Sequence, residues 1–216
     1  MTAADPRTAI LVDFGGVLTT SVNDAFRAFA TGLGAPPDLM LRLLAEDPES
    51  SRLLVEHETG RLDDEGFERG FARRLAAAGV AVEPEGLIRR MQAGMAPDDM
   101  MIDALAALRA TGVPVALVTN ALGRDCYDGF DLDALADAVV ISSAVGVRKP
   151  SRRIYAIACE RLGVAPAACV LIDDLAHNLA GAARLGIAGV LHRDAARTVS
   201  ELEERFGLRA AASPAG

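Results

Sequence analysis

Short runs of apolar residues recur along the chain, and segments with helical periodicity separate them. The apolar runs lie at residues 9–12, 113–118, 138–141, 169–172 and 189–191. None of them clearly alternates between apolar and polar positions, which indicates strands that are covered on both faces of a sheet. The spacing of apolar residues and the positions of proline and glycine predict helices at residues 98–110, 151–162, 175–185 and 200–206. Strands that alternate with helices predict an α/β fold, a parallel sheet with right-handed crossovers.

Residues 22–95 interrupt this alternation, because no strand pattern occurs between the first apolar run and residue 113. The pattern predicts helices at residues 22–33, 37–45, 49–56, 63–78 and 84–95. We interpret this stretch as a helical lobe inserted after the first strand. The predicted organisation is therefore a Rossmann-like core of residues 1–20 and 97–216 and a helical domain of residues 21–96. The last helix is expected to begin with Ser200 and Glu203 as a capping box, and a frayed tail is expected after residue 208.

Composition and charge exclude several classes of protein. The chain has 216 residues, of which 51% are hydrophobic, so it can bury a sizeable core. A formal net charge of −8 argues against a nucleic-acid surface or a surface for anionic membranes. No apolar run is long enough to span a bilayer. Three cysteines without a CxxC pair suit a reducing compartment, and we expect a soluble cytoplasmic protein. The sequence does not indicate the oligomeric state.

Polar side chains follow four of the predicted strands. They are Asp13 after the first, Thr119 and Asn120 after the second, Lys149 after the third, and Asp173 and Asp174 after the fourth. In an open parallel sheet, ligands bind at the carboxyl ends of the strands. Three carboxylates and a hydroxyl form a site for a hard cation, and an ammonium adds a point charge for an anion. This combination predicts phosphoryl transfer, in which Mg²⁺ neutralises the phosphate and a carboxylate attacks phosphorus.

Each of these residues also has a structural interpretation. Asp13 before two glycines is typical of a turn, and Thr119 or Asp173 is a good N-cap for a helix. Two adjacent acids at the end of an apolar strand are nevertheless costly without a cation. Lys149 is the single lysine of the chain, which favours a role over an exposed loop position.

The order of these segments resembles the haloacid dehalogenase superfamily of hydrolases, over most of the chain. Four motifs carry the resemblance: Asp13-Phe14-Gly15-Gly16-Val17, Leu117-Val118-Thr119-Asn120, Lys149-Pro150, and Leu171-Ile172-Asp173-Asp174 with Asn178. The helical stretch is similar to the helical cap that the family inserts after its first motif. Glu58-Thr59-Gly60-Arg61 resembles a stretch that is common in such caps.

The resemblance implies roles for these residues. Asp13 would be the nucleophile that becomes an aspartyl-phosphate. Asp13, Asp174 and the backbone carbonyl of Gly15 would bind Mg²⁺, and Asp173 would support the metal site.

The resemblance to this superfamily also implies which groups hold the substrate. Thr119 and the backbone at Gly16 would bind phosphate, Lys149 would hold nucleophile and phosphate together, and Asn120 would lie near the substrate. The implied substrate is a small phosphate ester, since a cap excludes macromolecules.

Two positions depart from the family pattern. Asn178 replaces an acidic residue of the fourth motif, and Gly15 replaces the aspartate that moves the proton in the phosphatases. Proton transfer typically contributes 10²–10⁴-fold to a rate, so its loss matters. We expect Gly15 to hold a positive φ, where a side chain would be strained. His177 is a candidate substitute acid, although a surface or capping histidine is the simpler interpretation.

Three functions remain open from the sequence. The first is a phosphatase of a small phosphorylated metabolite. The second is a catalytically weak or inactive member that serves as a binding or regulatory protein, because Gly15 cannot move a proton. The third is a dehalogenase-type hydrolase, although the dehalogenases carry an aromatic residue where this chain has Gly15.

Overall fold

The computed structural model describes residues 8–207 and contains an open, five-stranded parallel sheet flanked by helices. The strands are β1 (Ala9–Val12), β2 (Val115–Thr119), β3 (Ala138–Ile141), β4 (Cys169–Asp173) and β5 (Ala188–Leu191). Their order in the sheet is β3-β2-β1-β4-β5, and all four pairings are parallel. The predicted fold class is therefore confirmed.

Eleven helices connect or follow these strands within the described residues. They are α1 (Val22–Gly32), α2 (Leu39–Glu46), α3 (Pro48–Glu58), α4 (Asp64–Ala77), α5 (Leu87–Met91), α6 (Asp99–Ala110), α7 (Leu132–Leu135), α8 (Ser142–Val145), α9 (Arg152–Leu162), α10 (Ala176–Ala183) and α11 (Ala195–Phe206). Between residues 8 and 207, no helix combines the length and the hydropathy that a membrane crossing requires.

The topology places β1 at the centre of the sheet, between β2 and β4. Val12 pairs with Leu117 on one side and with Ile172 on the other. All residues of β1, β2 and β4 are buried, because α6 and α11 contribute to the apolar cluster on one face and α9 and α10 to the cluster on the other. The residues that follow β1, β2 and β4 therefore share one edge of the sheet.

Helices α1 to α5, which we call the helical segment, lie between β1 and β2 in the chain and have an apolar core of their own. Phe67 and Phe71 stack in it with their ring centroids 5.5 Å apart, and Met40 and Leu75 are fully buried beside them. Five helices are predicted in this stretch, and each has its counterpart.

The two ends of the helical segment lie close together. The backbone N–H of Thr20 donates to the carbonyl of Ala96 over 2.8 Å, and Thr19 forms an antiparallel bridge with Pro97. These contacts support domain boundaries near residues 20 and 97, which remain a prediction.

The last helix differs from its prediction. Helix α11 begins at Ala195, and the side chain of Asp194 caps it by accepting a hydrogen bond from the backbone N–H of Arg197. Ser200 thus lies inside the helix, and the capping box predicted at Ser200 and Glu203 is wrong. Helices α7 and α8 have four residues each, too few for a periodic pattern to predict. The tail predicted after residue 208 lies outside the described residues.

Candidate active site

The predicted site residues meet at the carboxyl edge of the sheet. Asp13 follows β1, Thr119 and Asp173 end β2 and β4, and Lys149 precedes α9. Asp13, Thr119 and Lys149 are buried, with exposed fractions of 6% or less. The parallel direction of the strands therefore brings these side chains together at one edge of the sheet.

Lys149 joins two carboxylates in this buried environment. Its Nζ lies 2.6 Å from Oδ1 of Asp13 and 2.9 Å from Oδ2 of Asp173. Burial disfavours the ammonium, but the two carboxylates together raise the pKa of Lys149 above its usual value. The lysine is therefore a fixed positive charge beside Asp13.

Asn120 holds the backbone of Lys149. The backbone N–H of Lys149 donates to Oδ1 of Asn120 over 2.8 Å, and Nδ2 of Asn120 donates to the carbonyl of Lys149 over 3.3 Å. Both ends of the Asn120 amide are thus engaged with one residue. This geometry makes Asn120 a positioning residue for the lysine.

Asp173 is fully buried and surrounded by donors. Its Oδ1 accepts from the backbone N–H of Leu175 over 2.9 Å, and Nδ2 of Asn178 lies 2.9 and 3.1 Å from its two oxygens. With Lys149 on Oδ2, both oxygens of Asp173 are engaged. The hydroxyl of Tyr155 in turn donates to the backbone carbonyl of Asn178 over 2.9 Å. Asp173 therefore anchors Lys149 and the start of α10.

Asp13, Asp173 and Asp174 form an acidic cluster in which one oxygen from each residue lies within 4.8 Å of the others. Burial raises the pKa of Asp13 to about 7, and Asp173 and Asp174 act in the same direction while Lys149 opposes them. Burial and Asp173 likewise raise the pKa of Asp174. A hard divalent cation relieves such repulsion, and oxygen ligands at this spacing fit Mg²⁺.

The two glycines after Asp13 meet different constraints. Gly16 has a φ of +78°, and a Cβ there would lie 2.7 Å from Oδ2 of Asp174. Gly15 has no positive φ, so the expectation of strain at Gly15 is wrong and applies to Gly16 instead. A Cβ at Gly15 would lie 2.7 Å from Cγ2 of Val22, the first residue of α1. Gly16 thus makes room for the carboxylate of Asp174, and Gly15 makes room for the helical segment.

Two donors that the site offers are already engaged. The backbone N–H of Gly16 donates to Oγ1 of Thr19 over 3.2 Å. The hydroxyl of Thr119 donates to the carbonyl of Asn120 over 3.4 Å. The same hydroxyl of Thr119 accepts a hydrogen bond of 3.4 Å from the hydroxyl of Tyr127. These are long hydrogen bonds, so an anion could replace them at low cost.

A cavity of about 390 Å³ opens beside Asp13, between the sheet edge and the helical segment. The sheet side of its wall includes Asp13, Thr119, Lys149 and Asp174. The opposite wall is apolar and includes Val22, Phe26, Leu41, Leu44, Leu54 and Met95. His177 lies at this cavity and is exposed.

Glu58 and Arg148 are cavity residues to which the sequence assigns no role. Nε of Arg148 lies 2.8 Å from Oε2 of Glu58, which joins the end of α3 to the loop before Lys149. Burial raises the pKa of Glu58 to about 7, although Arg148 and Lys149 oppose this. The nearest signal in the sequence is the Glu58-Thr59-Gly60-Arg61 stretch, which resembles a stretch common in caps but does not indicate a pairing with Arg148.

The backbone beside Glu58 also fixes its position. The hydroxyl of Ser142 donates to the carbonyl of Glu58 over 2.5 Å and accepts from the backbone N–H of Ala121 over 2.9 Å. Gly60, with φ +71°, packs so closely on Ser143 that a Cβ would lie 2.4 Å from its carbonyl oxygen. The backbone at Glu58 is therefore tied to the start of α8 and to the residue that follows Asn120.

Known proteins with similar sequences include phosphatases. The chain is 26% identical over 205 residues to acyl-CoA dehydrogenase family member 10 of Mus musculus. This match covers 93% of this chain but only 19% of that protein. It is 23% identical over 162 residues to sesquiterpene phosphatase astK of Aspergillus oryzae, covering 73% of this chain and 81% of the relative. It is 27% identical over 194 residues to phosphoglycolate phosphatase of Thiobacillus denitrificans, covering 84% and 81%.

Solved structures share the fold. A HAD-like family hydrolase from Porphyromonas gingivalis superposes with a TM-score of 0.69 at 22% identity, over 92% of this chain and 98% of that one. The HAD family enzyme bt-2542 from Bacteroides thetaiotaomicron, in complex with magnesium and inorganic phosphate, superposes with a TM-score of 0.63 at 19% identity, over 86% and 93%. The family model of the haloacid dehalogenase-like hydrolases matches residues 8–186. This protein therefore belongs to the haloacid dehalogenase-like hydrolases.

Proposed function

We propose that this protein is a Mg²⁺-dependent phosphatase of small phosphate monoesters, with Asp13 as the nucleophile. The observation that carries the proposal is the pairing of Asp13 with Lys149 inside a buried acidic cluster. A carboxylate that attacks a phosphate dianion needs nearby positive charge to offset the repulsion between the two anions. Lys149 together with a divalent cation would supply that charge.

The arrangement of oxygen donors supports one position for the cation. Asp13, Asp174 and the carbonyl of Gly15 would hold Mg²⁺, which acts as a Lewis acid on the phosphate oxygens when bound. Both oxygens of Asp173 are taken by Lys149, Leu175 and Asn178, so Asp173 supports the site rather than binding the metal directly. Thr119 and the backbone N–H of Gly16 would bind the remaining phosphate oxygens.

The reaction would proceed in two displacements. An oxygen of Asp13 forms a bond to phosphorus while the ester P–O bond breaks, and the departing oxygen takes up a proton. Water then attacks phosphorus, the bond to Asp13 breaks, and inorganic phosphate leaves. Each step moves one proton, which Gly15 cannot carry.

Glu58 is the residue whose surroundings best suit that proton. It is a buried carboxyl in the wall of the same cavity as Asp13, and its pKa of about 7 leaves it partly protonated at neutral pH. His177 lies at the same cavity but is exposed. We therefore propose that Glu58 donates the proton from the wall of the cavity, less effectively than an aspartate at position 15, two residues after the nucleophile, would.

Several findings support the phosphatase proposal. Two of the relatives are phosphatases, one of a sesquiterpene and one of phosphoglycolate, and the bt-2542 structure holds magnesium and phosphate. The helical segment would act as a cap, because it forms one wall of the cavity that contains Asp13. We propose the cytoplasm as the location, on the evidence of the odd number of cysteines without a CxxC pair.

One observation favours the second candidate, a weak or inactive binding protein. A Cβ at Gly15 would lie 2.7 Å from Cγ2 of Val22, so an aspartate would not fit at this position unless Val22 moved. The dehalogenase alternative has no such support, since a dehalogenase would carry an aromatic side chain at Gly15.

A screen of phosphate monoesters with and without Mg²⁺ tests the proposal. We expect Mg²⁺-dependent release of inorganic phosphate from para-nitrophenyl phosphate and from at least one alkyl phosphate. Asp13→Asn should abolish the release, whereas Asp103→Asn, at an exposed position on α6, should leave it unchanged. Equal activity in the Asp13→Asn variant would exclude the covalent mechanism.

A further inference from the structure

The cavity beside Asp13 is charged at one end and apolar at the other. Its charged end is formed by Asp13, Lys149 and Asp174 at the edge of the sheet. Its opposite wall comes from α1, α2 and α3 and is made mostly of aliphatic and aromatic side chains. A ligand that fills both ends must therefore carry an anionic group and an apolar body.

Helix α2 contributes apolar residues both to the core of the helical segment and to the wall of the cavity. Leu39 and Met40 are buried in the core of the helical segment, which gives the helix one apolar stripe. Leu41, Leu44 and Ala45, spaced as neighbours on one face, line the cavity and are half-buried or exposed. Leu41 and Leu44 also pack against that core, but both remain partly exposed at the cavity. Apolar side chains around an open cavity are stabilised by a ligand that covers them.

Most polar side chains deep in the wall already have partners and offer little to a sugar or another hydroxylated body, although Asn23 and His177 also line the cavity. Nε2 of Gln92 donates to the carbonyl of Leu122 over 2.8 Å. Arg148 and Glu58 form an ion pair with each other, and both ends of the Asn120 amide are engaged with Lys149. A ligand rich in hydroxyl groups would lose hydration here and find few partners, which costs affinity.

We infer that the substrate is a phosphate monoester of an apolar alcohol, whose hydrocarbon body lies against Leu41, Leu44 and Leu54 while its phosphate lies beside Asp13 and Lys149. This inference rests on the proposed function for the reaction, but the binding of the apolar body is independent of catalysis. A cavity of about 390 Å³ falls in the range of small-molecule sites.

Alkylphosphonates separate the two claims, because their carbon–phosphorus bond resists this hydrolysis. Binding of ethyl-, butyl- and octylphosphonate is measured by calorimetry with Mg²⁺ present, at two temperatures. We expect the dissociation constant to fall on the order of 100-fold from ethyl to octyl, less than the about fourfold per methylene that complete burial would give. The heat capacity of binding should become more negative with chain length.

A pair of variants places the effect in the cavity. Leu44→Gln puts an amide into the apolar wall and should reduce the octyl-to-ethyl preference by roughly tenfold. Leu33→Gln changes a leucine at the end of α1 that is 38% exposed and does not line the cavity, and it should leave the preference unchanged. Since the wild-type series stands alone, loss of folding in one variant does not affect the test.

Two outcomes would overturn the inference. Equal dissociation constants for ethyl- and octylphosphonate would show that the wall takes no apolar body. Tighter binding of glycerol phosphonate than of butylphosphonate would show that it takes a hydroxylated one. Length-dependent binding without any hydrolysis of para-nitrophenyl phosphate would instead retain the apolar ligand and reject the phosphatase.

Discussion

The ammonium of Lys149 lies 2.6 Å from Oδ1 of Asp13, and both side chains are buried. Such a pair stabilises the fold only while it is complete, because removing one partner leaves an uncompensated buried charge. The same ammonium also contacts Asp173, so its loss would leave two carboxylates without a partner.

We therefore expect Lys149→Met to lower the free energy of unfolding by about 3–5 kcal/mol in the absence of Mg²⁺. Mg²⁺ should restore part of this loss, since a cation among the carboxylates replaces the missing charge. Urea unfolding with and without Mg²⁺ measures both effects. Arg205→Met, which removes a half-exposed ion pair with Glu201 on α11, should cost about 1 kcal/mol or less and show no Mg²⁺ dependence.

Asp173 and Asp174 are adjacent in the sequence but should respond differently to mutation. Asp174→Asn removes one charge from a repelling cluster, so the variant should melt at or above the wild-type temperature without metal and lose the stabilisation by Mg²⁺. Asp173→Asn places an amide among the donors of Lys149, Leu175 and Asn178, so it should lower the free energy of unfolding by about 1–3 kcal/mol. Thermal melts over a Mg²⁺ series test both. Full Mg²⁺ stabilisation of Asp174→Asn would remove it from the metal site.

The sequence predicted the residues of the sheet edge because each one follows a buried apolar run. Asp13, Thr119 and Asp173 depend only on the order and the parallel direction of the strands, which the alternation of elements determines. The ion pair of Glu58 with Arg148 could not be predicted in this way. It depends on how the helical segment packs against the sheet, and no local pattern encodes that packing.

The two glycines show the same distinction. A Gly-Gly pair indicates that some backbone freedom is needed, but not which residue needs it. The positive φ belongs to Gly16, and Gly15 is restricted by Val22, a residue of the helical segment. The helix that begins at Ala195 was predicted too short for a related reason. Its cap is Asp194, and the residues from Ala195 to Val199 precede the Ser200 and Glu203 pair that resembles a helix start.

Glu58 should make the stability of the protein depend on pH. Its pKa is about 7 in the folded state and lies near 4.5 for an unperturbed glutamate. Between these values the folded state holds more protons than the unfolded state, so the free energy of unfolding should fall as the pH rises. The fall attributable to Glu58 should be on the order of 2–3 kcal/mol over this window.

Urea unfolding across the same pH range measures this slope. Glu58→Gln cannot ionise, so its free energy of unfolding should fall less steeply than that of the wild type. Glu46→Gln, at the exposed end of α2, should keep the wild-type slope. Parallel slopes for wild type and Glu58→Gln would show that Glu58 ionises at its ordinary pKa, and would remove the support for Glu58 as a proton donor.

The last prediction concerns the missing aspartate at Gly15. An aryl phosphate departs without a proton, whereas an alkyl phosphate needs one, so wild-type activity should depend strongly on the acidity of the leaving group. Gly15→Asp alone should impair the enzyme, because its Cβ would lie 2.7 Å from Cγ2 of Val22, and Val22 is branched and stiff. The backbone imposes no such penalty, since Gly15 lacks a positive φ.

Adding Val22→Ala to Gly15→Asp removes the obstructing methyl group and should allow the aspartate to fit. The double variant should then hydrolyse alkyl phosphates up to roughly 10²-fold faster than Val22→Ala, the low end of general acid catalysis, and gain little on aryl phosphates. Steady-state kinetics on para-nitrophenyl phosphate and octyl phosphate, with Mg²⁺, compare the four proteins. If the wild type already cleaves octyl phosphate as fast as the double variant does, a residue other than 15 supplies the proton. Loss of that activity in Glu58→Gln, with aryl hydrolysis retained, would then identify Glu58 as the donor.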